Sequence, residues 1–432
     1  MTTLSRRNLI AGSLSAPLLG TVSGCATRVA LDASGASASA DDEAFWTSVA
    51  ARYEVTDAVT NVENGNWGLM ARPVLDAYIA HTEQVNRDNS YFARREYGPI
   101  WRNNVGQVTA RLGAQDGEVA FTRGATEALQ SIIGGYNRLR SGDAVMFADL
   151  DYGSIMAAMR WRANTSGAET VELAIPELSS HGALIDFYTE AFERHANTRL
   201  LLLTHISHRT GLLMPVREIS EIAHARGIDV VVDAAHSWGQ IDFAVTDLGA
   251  DFVGFNLHKW MGAPIGVGAM YIRADRLSDI DPNMSASSGE FDRIEGRVHT
   301  GTSNLAAFLT VPDALAFQDL MDSRAKEARL RHLRDTWVSE CRDLEGLEIL
   351  TPDDDRLHAG ITSFRLRGLT RPDQNQAIAD YLHDRHGVFT VHRTGIANGS
   401  CVRVTPGYYN STADMRRAAS AILDARAAFL SA

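Results

Sequence analysis

The sequence predicts an α/β protein built on a largely parallel sheet. Short β-branched or aromatic runs recur, above all Ile228 to Val232 and Phe252 to Phe255. Runs of this length with no polar interruption are buried on both faces, as strands in the middle of a parallel sheet are. Each run also ends in polar residues, Asp233 after the first and Asn256, His258 and Lys259 after the second. Open α/β sheets gather their sites at the carboxyl ends of strands.

The bulk numbers agree. A chain of 432 residues with 45% hydrophobic content has room for a large core and two domains. The formal net charge of −12 argues against a nucleic-acid partner, which would require a basic face. Three cysteines, Cys25, Cys341 and Cys401, are too few and too scattered for a disulfide framework or a metal site.

Residues 1–40 read as an address and a tether. Arg6-Arg7 stands directly before the weakly hydrophobic stretch Leu9 to Val22, the order of a twin-arginine export signal. Val22-Ser23-Gly24-Cys25 resembles a lipobox, which would make Cys25 a lipidated N-terminus and a membrane anchor. The competing reading is cleavage after Ala38-Ser39-Ala40. Either implies export to the periplasm. Residues 26–40 are small and polar, as a flexible tether should be.

From residue 41 the elements follow in order. Asp41 to Ala58 has helical apolar spacing and reads as an N-terminal arm. Asn64-Gly65 and Trp67-Gly68 mark a turn, and Arg72-Pro73 opens a helix. Arg94-Arg95-Glu96-Tyr97 is either a solvated charge run or a reach toward a partner subunit. Val119 to Thr122 is a short strand that turns at Gly124 into a helix. Free N–H groups and the dipole at a helix start hold phosphate, which makes Ala125 and Thr126 candidate contacts. Ala144 onward is another strand, ending near Asp151 and Tyr152; Leu200 to Leu203 is a third, with His205 at its end. Pro312 to about Asp343 reads as one long amphipathic helix. Beyond it, Leu347 to Leu350, Ile361 to Phe364, Val388 to Val391 and Cys401 to Val404 alternate with helices. The expected layout is therefore an arm and large domain over 41–310 and a small α+β domain over 311–432.

A strand-end Asp paired with a strand-end Lys suits pyridoxal phosphate (PLP). That cofactor needs a lysine amine for its aldehyde and a carboxylate to hold its ring nitrogen protonated. Asp233-Ala-Ala-His236 and Asn256-Leu-His258-Lys259 resemble the signature of the class V aminotransferase family of fold type I PLP enzymes, and within it the isopenicillin N epimerase-like subgroup. The resemblance runs from about residue 60 to the C-terminus. It implies a fold type I PLP-dependent transferase, with a mostly parallel seven-stranded-type sheet in the large domain. It implies that Lys259 and Asp233 are catalytic. Ala125, Thr126, Asn256 and His258 would lie at the phosphate, His236 on the ring edge and Tyr152 stacked on the ring.

Gly301-Thr302 matches a family element that reaches the cofactor of a second subunit, so Thr302 implies a homodimer with shared sites. Arg403 matches the family's carboxylate clamp, a role that a guanidinium fills with two parallel hydrogen bonds. Arg393 is a candidate for a second acidic group. Asn64, Gly65 and His205 are substrate-side candidates, with a turn or a structural histidine as the alternatives. No metal is expected. Aminotransferase chemistry on an amino acid or amino-acid-containing metabolite is the first expectation, then epimerisation, then lyase chemistry. A non-catalytic scaffold would lack Lys259, Asp233 or Arg403. Cysteine desulfurases need a nucleophilic cysteine on the loop that here reads Ile396 to Gly399 and has none.

Overall fold

The computed structural model describes residues 38–430. The positions of the expected export and lipidation signals, Arg6-Arg7 and Cys25, lie outside the described residues. Thirteen strands form three sheets among them. A seven-stranded sheet joins β2 (Val119–Thr122), β3 (Ala144–Ala148), β4 (Glu169–Leu173), β5 (Thr198–Thr204), β6 (Asp229–Asp233), β7 (Phe252–Asn256) and β8 (Gly268–Ile272). Their order is β2-β8-β7-β6-β5-β3-β4. Only β8 runs against its neighbours. The central strands are fully buried, as their apolar runs require.

The register sets the site. Thr204 of β5 lies opposite Asp233 of β6, and Asp233 opposite Gly254 of β7. The last residues of adjacent strands therefore present side chains at one edge. Helix α4 (Ala125–Gly135) leaves that same edge from β2. It packs across β7 through Leu129, so closely that a Cβ on Gly254 would fall 2.6 Å from Leu129 Cγ.

A four-stranded antiparallel sheet carries the C-terminal part, in the order β12-β13-β10-β9. It comprises β9 (Leu347–Ile349), β10 (Thr362–Leu366), β12 (Val391–Arg393) and β13 (Cys401–Val404). A separate core of Trp337, Phe364, Leu382, Val402 and Ile422 lies beneath it. The third sheet joins β1 (Thr60–Asn61) to β11 (Val388–Phe389), so the segment before the large sheet pairs with the C-terminal part. Glu63 continues this pairing against Thr405.

Several expected bounds shift. The helix expected over 312–343 is two helices, Val311–Gln318 and Ser323–Cys341. The Asp322 carboxylate accepts from the N–H groups of Arg324 and Ala325 and starts a second helix, which ends the first. The arm is helical only over Glu43–Ala50. The run Val388 to Val391 divides into β11 and β12. Arg94, Arg95 and Glu96 are exposed. Among the described residues no helix is long and apolar enough to cross a membrane.

Candidate active site

A cavity of about 990 Å³ opens at the carboxyl edge of the large sheet. Ala125, Thr126, Tyr152, Asp233, His236, Asn256, His258, Lys259 and Arg403 all line it, together with Gly65 and Arg393. The sheet register and the α4 turn bring these residues together from positions nearly 340 residues apart.

Lys259 is the centre. Its Nζ lies 2.9 Å from His236 Nε2. The other ring nitrogen, Nδ1, accepts from the Trp260 indole N–H at 3.4 Å. An indole nitrogen only donates, so the neutral ring carries its proton on Nε2 and the lysine amine accepts it. The electrostatics agree. Burial first, then the nearby Arg403 charge, pushes the Lys259 pKa well below the ordinary lysine range. Burial, followed by the Lys259 and Arg403 charges, likewise holds His236 neutral. The amine is thus available unprotonated, as a nucleophile or base must be.

Asp233 is buried and accepts from Ala235 N–H at 2.9 Å. Burial raises its proton affinity, while that N–H and the Lys259 charge work against it. A poorly solvated carboxylate gains most from a cationic ring N–H placed against it.

The phosphate end is built from α4 and the β7 turn. The Ala125 N–H already donates to Asn256 Oδ1 at 2.8 Å. Asn256 therefore braces the helix start, and the Thr126 side of the first turn faces the cavity. The expected Ala125 contact is met by a side chain of the protein itself. Gly124 keeps this turn close to its neighbours, because a Cβ would stand 3.0 Å from Asn256 Oδ1 and 3.3 Å from His258 Cε1, a tight contact with both. His258 donates from Nδ1 to the Val267 carbonyl at 2.8 Å, which turns its Nε2 edge free. The first turn of a helix beyond its braced Ala125 N–H, a strand-end carboxylate and a buried amine fit PLP in charge and chemistry. They would hold its phosphate, ring nitrogen and aldehyde respectively.

Tyr152 caps α5 (Gly153–Ser166), is 43% exposed and meets His208 edge to face at 5.2 Å. Arg403 is buried and donates to the His208 carbonyl and to Glu63. Two residues expected on the substrate side, Asn64 and His205, do not line the cavity, and Thr302 was expected at a partner subunit's cofactor. The Asn64 side chain donates to Thr405 O and Asn410 Oδ1 and accepts from Tyr409, so it clasps the C-terminal part to the site loop. His205 is buried against Phe243, and its neighbour Thr204 takes the lining position. Strand alternation turns one side chain toward the site and the next away. Gly301 and Thr302 are exposed on a turn and line no part of this chain's cavity.

Sequence reasoning overlooked His208, Glu63 and Trp260. His208 sits three residues after His205 in the same strand-end stretch, and Glu63 precedes the Asn64-Gly65 pair. Either could have been weighed on the same grounds as its neighbour.

The fold and this site define a fold type I PLP-dependent enzyme. The profile of the family described as aminotransferase class-V matches residues 73–417. The chain belongs to that family. It is 26% identical to an isopenicillin N epimerase of Amycolatopsis lactamdurans over 404 residues, covering 87% of this chain and 98% of the relative. It is 27% identical to a probable cysteine desulfurase of Vibrio cholerae, covering 81% and 89%. Among solved structures, a cysteine desulfurase of Escherichia coli superposes with a TM-score of 0.74 at 20% identity, covering 88% of this chain and 98% of the other. A cystine C–S lyase solved with its cysteine persulfide product superposes with a TM-score of 0.72 at 19% identity, covering 85% and 97%.

Proposed function

We propose that the protein acts on the amine of an α-amino acid, free or within a larger metabolite, and that transamination is its reaction. The observation that carries this reading is the buried Lys259 amine, 2.9 Å from the His236 ring. It is set by His236 and Arg403, in one cavity with Asp233 and two arginines. PLP, when bound, supplies the electron sink that makes the proton on the substrate α-carbon acidic. The chain's own residues do the rest. Lys259 Nζ would take that proton and, for transamination, give it up to the cofactor side and not back to the α-carbon, while the His236 N–H keeps the amine oriented. Arg403 and Arg393 orient the substrate through its carboxylate.

Epimerisation is a second reading, favoured by the isopenicillin N epimerases, which align over nearly their whole length. Cysteine desulfuration is disfavoured. Cys341 and Cys401 are buried, and burial pushes their thiols up to about 12 and about 11, far from a reactive thiolate. A homodimer sharing its sites through Thr302, export by the twin-arginine route and an anchor at Cys25 complete the proposal.

The test is absorption spectroscopy of the purified enzyme loaded with PLP, with D- and L-amino acids in turn. The visible cofactor band should vanish in Lys259→Ala. Conversion to the pyridoxamine band with release of a keto acid supports transamination. An unchanged band with appearance of the mirror-image amino acid supports epimerisation instead. No spectral response to any amino acid or peptide-bound amino acid would overturn the reading.

A further inference from the structure

Arg403, the expected clamp for a substrate carboxylate, already holds one. Its Nη2 donates to Glu63, 2.5 Å from Oε1 and 2.7 Å from Oε2. Arg393 reaches the same carboxylate, with Nη2 3.1 Å from Oε1. The Glu63 side chain is only 6% exposed, and that of Arg403 only 1%. Arg393 and Arg403 line the cavity, whereas Glu63 does not. The carboxylate therefore meets the two guanidinium groups from outside the cavity that they line. Arg403 Nη1 donates to the His208 carbonyl, and the Nε atoms of both arginines are buried without a hydrogen-bond partner.

The charges can be counted. Within this cluster two cations and one anion leave a single positive charge. Of the other cations lining the cavity, Arg123 is paired with Glu127 at 2.6 Å, and Arg297 donates to the Phe291 and Leu277 carbonyls. Without Glu63 the two guanidinium groups would share one poorly solvated space, and their repulsion would favour any second anion that entered. We propose that Glu63 is a specificity-determining residue that neutralises one of the two arginines from behind, so that the pocket takes an amino acid presenting one carboxylate and rejects a dicarboxylate. The segment that carries it supports this role. Glu63 is pinned by its bridge to Thr405, and Asn64 by the Thr405 and Asn410 contacts, so the carboxylate is held in place by backbone pairing. This inference rests on the reading that Arg403 faces an amino-acid carboxylate.

The experiment is calorimetric titration of the PLP-loaded, full-length enzyme with acetate and with maleate, at fixed ionic strength and a pH where maleate is a dianion. Wild type, Glu63→Gln and Glu63→Asp are compared. Glu63→Gln should bind maleate roughly 10-fold more tightly than wild type while acetate changes less than about 3-fold. Glu63→Asp should stay within about 3-fold of wild type for both. Maleate binding that is unchanged or weaker in Glu63→Gln, or an equal gain for both anions, overturns the proposal. Should Glu63→Gln fail to fold, Arg393→Gln tests the count from the other side. With one cation removed the cluster is neutral, and acetate binding should fall roughly 10-fold; unchanged acetate binding overturns the proposal. Neither probe needs turnover. A failure of amino acids to react would sink the functional reading while leaving this result interpretable.

Discussion

Gly68 tests how tightly Lys259 is held. Its N–H donates to the His258 carbonyl at 2.9 Å, which lays the site loop against the Lys259 turn. A Cβ at Gly68 would stand 1.9 Å from the Lys259 carbonyl oxygen and 2.9 Å from its carbonyl carbon. Ordinary C···O approach is about 3.3 Å or more, so one backbone must retreat by roughly 1.4 Å. Retreat breaks the Gly68 hydrogen bond, worth about 1 kcal/mol. Repacking the displaced segment costs about 1–3 kcal/mol more. Gly68→Ala should therefore lose about 2–4 kcal/mol. A chain of this size unfolds with roughly 2 cal/mol/K per residue, so the melting temperature should fall by only about 2–4 °C.

The larger effect of Gly68→Ala should be on the site, because the displaced atoms belong to Lys259. The assay is differential scanning calorimetry together with the amplitude of the visible cofactor band, and the band should fall to less than about half. Gly106→Ala is the control, since a Cβ there meets nothing within 4 Å and the position is inside helix Tyr97–Leu112. That change should be neutral or stabilising by up to about 1 kcal/mol. A Gly68→Ala enzyme that melts with wild type and keeps its full band would refute the reasoning.

Three further outcomes are expected. Burial pushes the His205 pKa down to about 4. Between about pH 6.5 and 4 the unfolded chain therefore binds a proton that the folded ring refuses, and stability is lost as pH falls through that window. His205→Gln should remove roughly 2 kcal/mol of that acid sensitivity, read from urea unfolding at pH 7 and pH 4.5; an unchanged difference would contradict it. Arg403→Gln removes the charge that, after burial, does most to hold the Lys259 amine unprotonated. The pH midpoint for cofactor uptake should accordingly move upward, and a midpoint that stays or falls would count against this account. Finally, cells expressing the full chain should label it with a radioactive fatty acid, and Cys25→Ala should abolish the label; equal labelling of both would exclude an anchor at that position.

Much of the site was legible before any coordinates, because its chemistry is local in sequence. Asp233 and His236 are three apart, and Asn256, His258 and Lys259 lie within four positions. A buried strand that ends in such residues delivers them to one sheet edge whatever the rest of the chain does. The helix start at Ala125 was readable for the same reason, since a strand, a glycine and a helix in succession make the turn by themselves. Direction along a strand end was less secure. His205 and His208 are both plausible by type, and only the path of the chain after β5 turned the second toward Tyr152 and buried the first against Phe243.

The amino-acid sequence by itself determined the α/β class, the sheet edge that carries the cavity, and the lysine and aspartate whose chemistry suits PLP there. Burial of apolar runs and the special needs of one cofactor leave few other arrangements. Tertiary structure alone decided what surrounds Lys259. The Trp260 and His236 contacts set its proton, and the meeting of Glu63 with Arg393 and Arg403 sets the charge of the pocket. Those partners lie about 330 and 340 residues apart. Neither spacing nor residue type links a glutamate at one end of the chain to arginines at the other. They meet because β1 pairs with β11 and Glu63 bridges to Thr405, and long-range pairing of this kind depends on the packing of the whole molecule.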